Sequence, residues 1–384
     1  MKNFRCSVFT IFTVLLCLNS TGLFAQFTQQ GNKLVGTGAV GGAWQGLSVA
    51  ISDDGTTAIV GGFQDNSAVG AVWIYTRSGN TWTQQGSKLV GTGATGAAFQ
   101  GISAALSGDG NTALVGGFQD NINQGAVWVF TRSGGTWTQQ GSKLVGTGAT
   151  GGAQQGISVA LSSDGNTAIV GGDYDNVTTG AVWVYTRSGS TWTQQGSKLV
   201  GTGASGAAHQ GNSLALSSDG NTAFVGGFYD ANTDGAAWAF TRTGSTWAQQ
   251  GNKLVGTGAS GARAFQARSV ALSGDGRTAF MGGHGDAGNT GAVWVFYNGR
   301  GVSVNTIGNG TSTIKIFPSP TEGVITIDND GLTIDNITVY NNLGQLVLTT
   351  KVVNQLDLSA LPSGMYFVQV KVGSEVATEK VFKQ

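Results

Sequence analysis

Cysteine, proline, histidine and charge are all scarce in this chain, and each shortage closes off a class of protein. Both cysteines, Cys6 and Cys17, lie in the first 25 residues. That stretch reads as a secretory leader: Lys2 and Arg5 form a positive end, an apolar run covers 8–18, and Gly22-Leu23-Phe24-Ala25 supplies a cleavage site before Gln26. A mature chain starting there has no disulfide, no thiolate metal site and no cysteine nucleophile. Removing Lys2 and Arg5 leaves 18 of the 20 basic residues against 20 acidic ones, a net charge near −2 with no basic run, which argues against nucleic acid as a partner. Beyond residue 26 no apolar run is long enough to span a bilayer, and the leader's own run is too short to do so.

What the chain has instead is glycine, 65 residues in 384 beside only three prolines. Glycine without a three-residue period excludes collagen and points to many short strands joined by tight turns. Lys-Leu-Val-Gly-Thr-Gly begins at Lys33, Lys88, Lys143, Lys198 and Lys253, a period of 55 residues. A period of this size means stacked structural units. Each unit carries four β-patterned stretches, at 47–52, 57–62, 70–77 and 81–90 in the first. Four short strands per unit describe a propeller blade, and we call them strands A to D.

With Ser78-Gly79 as the loop between C and D, Tyr75 falls opposite Trp82, and Phe130/Trp137, Tyr185/Trp192 and Phe240/Trp247 repeat the pair. The fifth unit ends strand C at Phe296 without a following Trp-Thr-Gln-Gln, while Phe27-Thr28-Gln29-Gln30 is an orphan strand D. The expectation is a five-bladed β-propeller over 26–298, closed by the N-terminal strand with Phe27 against Phe296, which removes the exposed sheet edges. Nine of the ten tryptophans sit at repeated positions in C or D and read as filler between blades.

Gln155-Gly156-Ile157-Ser158-Val159-Ala160-Leu161-Ser162, Asp164-Gly165, Thr167-Ala168-Ile169-Val170-Gly171-Gly172 and Gly180-Ala181-Val182-Trp183 resemble the bacterial FG-GAP repeat, whose units are similar to the blades of the integrin α-subunit propeller. Gln45, Gln100, Gln155 and Gln210 stand where that family has the phenylalanine of its name. Calcium-binding members resemble Asp-x-Asp-x-Asp-Gly in the A–B turn. Here Ser52-Asp53-Asp54-Gly55 and Ser162-Ser163-Asp164-Gly165 offer too few oxygens for calcium, and Asp54, Asp109, Asp164, Asp219 and Asp275 read as turn formers.

Alternating strand direction gathers the D–A and B–C loops on one face, the usual place for recognition on a rigid scaffold. Trp44, Phe99, Gln154, His209 and Phe265 vary at one D–A position, while Asp65, Asp120, Asp175, Asp230 and Asp286 recur in the B–C loop. These aspartates form either a ring for a cation or basic ligand, or caps for their own loop backbones. His209 and His284 each occur in one unit only. No triad assembles, and no catalytic, metal or cofactor residue is assigned.

After Phe296 the repeat stops and 299–312 is a Gly/Ser/Asn/Thr-rich linker. Strand patterns at 314–317, 323–328, 337–340, 345–348, 355–358 and 365–372 then predict a small β-sandwich over 313–384. Phe317-Pro318-Ser319-Pro320 with Gly323, Tyr340-Asn341-Asn342-Leu343-Gly344, Leu361-Pro362-Ser363-Gly364-Met365-Tyr366 and Lys380-Val381-Phe382-Lys383 resemble the type A C-terminal sorting domain of the type IX secretion system. The resemblance implies export by that machinery to the medium or the outer surface of a Gram-negative cell. Ser319 replaces the usual asparagine between the prolines. The combined expectation is an all-β, non-enzymatic, secreted or surface-attached binding or adhesion protein whose partner is an extracellular protein or glycan. An extracellular hydrolase of carbohydrate or peptide and a structural surface component are the alternatives.

Overall fold

The computed structural model describes residues 28–261, 263–298, 304–307, 312–328, 333–351, 354–373 and 375–384. The leader, Phe27 and most of the linker lie outside them. Every regular sheet is antiparallel β. In the first unit strands A to D are Val49–Ile51, Thr57–Gly62, Ala71–Ser78 and Thr81–Gln84, in the order A-B-C-D. The next three units repeat this four-stranded sheet, and the fifth has three strands, Ser269–Leu272, Thr278–Gly283 and Ala292–Tyr297.

In the second to fourth units strands B and C read as continuous apolar runs because both faces are covered by neighbouring sheets. Trp73, Trp128, Trp183 and Trp238 are fully buried. The glycine of each Lys-Leu-Val-Gly connector lies flat on one of these indoles: a Cβ on Gly91 would stand 2.0 Å from Cδ1 of Trp128. The indole N–H donates to the next connector carbonyl, as from Trp128 to Thr92 at 2.8 Å. The glutamine in place of the FG-GAP phenylalanine is buried here too. Gln100 accepts from Gly91 N–H at 2.6 Å and donates to Gly91 C=O at 3.0 Å, so one side chain clamps the connector twice. A hydrogen-bond ladder also joins the A–B turns of all five units, from Asp53 N–H to Gly108 C=O, then on through Ser163, Ser218 and Gly274.

The C–D register differs from the sequence expectation by two residues. Gly79-Asn80 is the loop, so Arg77 pairs with Trp82 and Tyr75 with Gln84. The exchange has a physical reason: each arginine lays its guanidinium over the tryptophan, 5.8 Å from the ring centre for Arg77 and 5.4 Å for Arg132, Arg187 and Arg242. Each of these tryptophans donates its N–H to the glutamine that follows strand D of the preceding unit, as Trp137 to Gln85 at 2.9 Å, and Trp82 finds Gln30 at 3.0 Å. The described residues 28–30 form no strand, and no strand pairing joins the first and fifth units among the described residues. Leu47, Val49 and Ile51 at one end and Phe280, Val293 and Val295 at the other are exposed.

The tail is two four-stranded sheets, one built on Ser312–Phe317 and Val324–Asp328, the other on Asn336–Asn341 and Gly364–Val372. Sequence patterning missed two of its strands, Val304–Ile307 and Glu375–Lys383. Ile314, Ile316, Ile325, Ile337, Val339, Val368 and Val370 form its core. Among the described residues no helix is long and apolar enough to cross a membrane.

Candidate functional site

The B–C and D–A loops of successive units are tied together. Asp65 is fully buried; its Oδ1 accepts from Val40 N–H at 2.7 Å and its Oδ2 is paired with Lys88 of the following connector. Asp120, Asp175 and Asp230 repeat this with Lys143, Lys198 and Lys253. Asp286 accepts from Ser260 N–H at 2.7 Å and has no lysine partner among the described residues. These carboxylates clamp backbone and connector together rather than forming an open ring, and no group of three or more metal-ligating side chains occurs among the described residues.

Each aspartate starts a turn of three left-handed residues. In the second unit they are Asn121, Ile122 and Asn123 (φ 49°, 56° and 65°) and in the third Asn176, Val177 and Thr178 (φ 48°, 54° and 67°). Ile122 and Val177 are β-branched and 90% and 88% exposed, so local preference does not explain the conformation. The turn's last carbonyl accepts from the N–H of the variable D–A residue of the next unit: Ala68 from Phe99, Asn123 from Gln154, Thr178 from His209 and Thr233 from Phe265. Those D–A residues are themselves left-handed, with φ of 52° to 60°. Strain of this kind persists only where the surrounding structure over-determines it.

Held in this way, the D–A residues alternate with the residue just past strand B and make a row of rings. Trp44, Phe63, Phe99 and Phe118 follow one another with centroids 5.5, 5.7 and 5.3 Å apart. Beyond Gln154 the row resumes as Tyr174, His209, Phe228, Phe265 and His284, with neighbouring rings 5.0 to 6.3 Å apart. The structure thus unites Trp44, Phe99, His209 and Phe265 and adds Phe63, Phe118 and Phe228, which sequence reading left unassigned just past strand B. Their signal was present in the sequence as an aromatic after Gly-Gly in three units.

On the opposite face, Asp54 accepts from Ser52 Oγ at 2.6 Å and from Thr56 N–H at 2.9 Å. The Ser52 and Thr56 hydrogen bonds hold its carboxyl at about 2. At Asp109, Asp164 and Asp219 partial burial pushes the carboxyl up, but the serine hydroxyl and the asparagine two residues on outweigh it. These are closed turns.

In the tail, the residues that carried the resemblance are turn and edge devices. The Pro318-Ser319-Pro320 corner clasps the last strand, with Ser319 Oγ accepting from Phe382 N–H at 3.0 Å and Thr321 N–H donating to Phe382 C=O at 2.8 Å. A Cβ on Gly323 would stand 2.1 Å from Ser359 Oγ. Gly344, at φ 78°, closes a turn in which Asn341 Oδ1 accepts from Leu343 and Gln345. Leu361 packs on the core, Tyr366 donates to Pro362 C=O at 2.7 Å beside Gly364, and Lys380 lies over the Phe382 ring.

The sequence profile of the secretion system C-terminal sorting domain matches residues 315–384. The protein therefore carries a type IX export tail and is secreted or displayed at the cell surface. The profile of the histone H3 K4-specific methyltransferase SET7 N-terminal family matches four times in succession, over residues 19–73, 63–123, 118–178 and 173–240, together more than half of the chain.

The chain belongs to this family.

Starts at 63, 118 and 173 reproduce the 55-residue period, so the SET7 N-terminal-type match is a match of the repeat. It carries over the repeat and not the methyl-transfer chemistry of the protein that names it. No curated protein matches the chain in sequence. Among solved structures, TolB from Acinetobacter baumannii is 11% identical with a TM-score of 0.36, over 74% of this chain and 51% of that one. This chain thus spans about half of the TolB chain. Kuenenia stuttgartiensis hydrazine synthase is 12% identical with a TM-score of 0.41, over 92% and 99% of the two chains. A functionally unknown protein from Desulfotomaculum acetoxidans is 12% identical with a TM-score of 0.41, over 87% and 84%.

Proposed function

We propose that the protein is an exported, non-enzymatic binding protein whose loop face engages an extracellular glycan or protein through the aromatic row. The observation that carries this reading is Trp44, held left-handed and 67% exposed at the head of a row of rings. Aromatic rings on a rigid scaffold give large contact area at little entropic cost. The test is to titrate the mature full chain against a panel of extracellular polysaccharides and matrix proteins, beside Trp44→Ala/Phe99→Ala. A loss of affinity of about tenfold or more, or about 1.4 kcal/mol, at unchanged melting temperature is expected. Equal binding by both proteins, or binding of nothing on the panel, would count against it.

We also propose that the five units close into a propeller of the FG-GAP type, with residues 27–34 as the fourth strand of the fifth sheet. The two ends complement each other. Lys33 has no acidic partner among the described residues while Asp286 has no lysine. Leu34 and Val293 are both exposed, although their counterparts Leu89 and Val72 pair. A cavity of about 200 Å³, lined by Phe224, Gln250, Arg277 and Phe296, lies where the other units place the strand-D tryptophan. In Leu34→Cys/Val293→Cys a disulfide within one chain is expected, because their counterparts Leu89 and Val72 exchange both backbone hydrogen bonds and stand within disulfide reach. A reduced monomer under oxidising conditions, or disulfide-linked dimers, would speak against closure.

A further inference from the structure

The aromatic row is interrupted once, at Gln154 and Asp173, and Asp173 meets a second departure from the repeat, Asn212. Asp173 stands where the other units have Phe63, Phe118, Phe228 and His284, and Asn212 where they have Leu47, Ile102, Ile157 and Arg268. Asp173 Oδ2 accepts from Asn212 Nδ2 at 3.0 Å and lies 3.3 Å from His209 Nδ1. Arg268, 4.9 Å above the Phe228 ring, donates in turn to Asn212 Oδ1. Departures from a near-identical repeat have thus converged on one hydrogen-bonded cluster spanning the third to fifth units.

Packing does not account for the cluster, because a phenylalanine fills the same place in three other units. The Asp173 side chain is 4% exposed and its Oδ1 is buried with no hydrogen-bond partner among the described residues. Leaving such an oxygen without a donor costs about 1–3 kcal/mol. Beside it, His209 lies between two exposed tyrosines, 5.1 Å from the ring of Tyr174 and 5.0 Å from that of Tyr229.

Resting on the loop-face reading above, we infer that this break is a subsite for a neutral sugar residue. One hydroxyl would donate to Asp173 Oδ1 as the side chains around it part, and the C–H face of the ring would lie against Tyr174 or Tyr229. A sugar hydroxyl both donates and accepts, which suits a site offering an acceptor in Asp173 and a donor in the Arg268 guanidinium. Aromatic walls with a few convergent polar groups suit a ring having an apolar face and a polar rim. Arg268, coupled through Asn212, offsets the carboxylate and disfavours a cationic ligand.

The test uses the mature full chain and saturation-transfer NMR with the methyl glycosides of glucose, galactose, mannose and N-acetylglucosamine, and with a trimethyl-lysine peptide. Asp173→Phe and Asn212→Ile restore the repeat's own residues, so folding is retained, and melting temperature checks it. At least one glycoside should bind, weaken about tenfold or more in both variants, and bind unchanged to Asp54→Asn on the opposite face. Binding that survives Asp173→Phe, no glycoside binding at all, or Asp173-dependent binding of the peptide instead would overturn the inference. A polysaccharide that still needs Trp44 and Phe99 in any of these cases would leave the loop-face reading standing alone.

Discussion

In the tail, Ile314, Ile325, Val339 and Val368 from two sheets bury one another in a single core, whereas each inner unit of the array divides its buried side chains between two neighbours. Ile59 and Ile74 of the first unit, for example, pack with Val115 and Trp128 of the second. A core shared between units needs something to fix their relative placement, because apolar contact alone is non-directional. The array answers with buried polar clamps at fixed repeat positions: Asp120 with Lys143 and Thr95, and Gln100 with Gly91. Among the described residues the tail has one buried charge-bearing group in the same kind of place, Glu379, set between Ala377 and Val381 on the core face of the last strand. The repeated clamps of the array are satisfied and structural, while the tail's Glu379 is a liability of a different sort.

The comparison predicts where each half breaks. Asp120→Ala leaves Lys143 and the Thr95 N–H without their acceptor and should cost about 3–5 kcal/mol, read by chemical denaturation. An effect below about 1 kcal/mol would mean the clamps are incidental. Gly91→Ala drives a methyl into the Trp128 indole and should cost about 1–3 kcal/mol, with a loss of near-UV tryptophan signal. Val177→Gly goes the other way: relieving one β-branched left-handed residue should stabilise the array by about 1–2 kcal/mol.

For the tail the variable is pH. Burial pushes the Glu379 carboxyl up to about 7 against the pull of Arg277 and Lys380. The raised value means the fold favours the neutral acid. Its contribution is complete below the unfolded value near 4.5 and is lost as pH rises through about 7. The tail's melting transition should therefore fall over that window in the native chain and stay flat in Glu379→Gln, while the transition of the array shows no such step.

The same division explains what was legible in the sequence. Strand B came out with its observed limits because Asp-Gly and Gly-Gly punctuate both ends. The C–D register slipped because Ser78-Gly79 and Gly79-Asn80 are both acceptable two-residue loops, and the cation–π contact of Arg77 with Trp82 is invisible to turn chemistry. Asp65 was left between a ligand ring and a local cap because its lysine lies in the next connector, 23 residues away in sequence. Glu375–Lys383 was missed since its charged, alternating stretch has no apolar run, although its partner strand supplies one. On the loop face the varying residue was found in every unit. The residues just past strand B that complete the row were not, because only the fold brings them between successive D–A loops.

The most direct test of the account is where a ligand leaves its footprint. Hydrogen–deuterium exchange should be recorded on the mature full chain with and without whichever polysaccharide of the binding panel it retains. Slowed exchange is expected at the left-handed B–C turns and at the D–A loops carrying Trp44, Phe99, His209 and Phe265. Protection confined to the Asp54 and Asp109 turns on the opposite face, or to the tail, would contradict the central claim that the loop face is what this exported array presents.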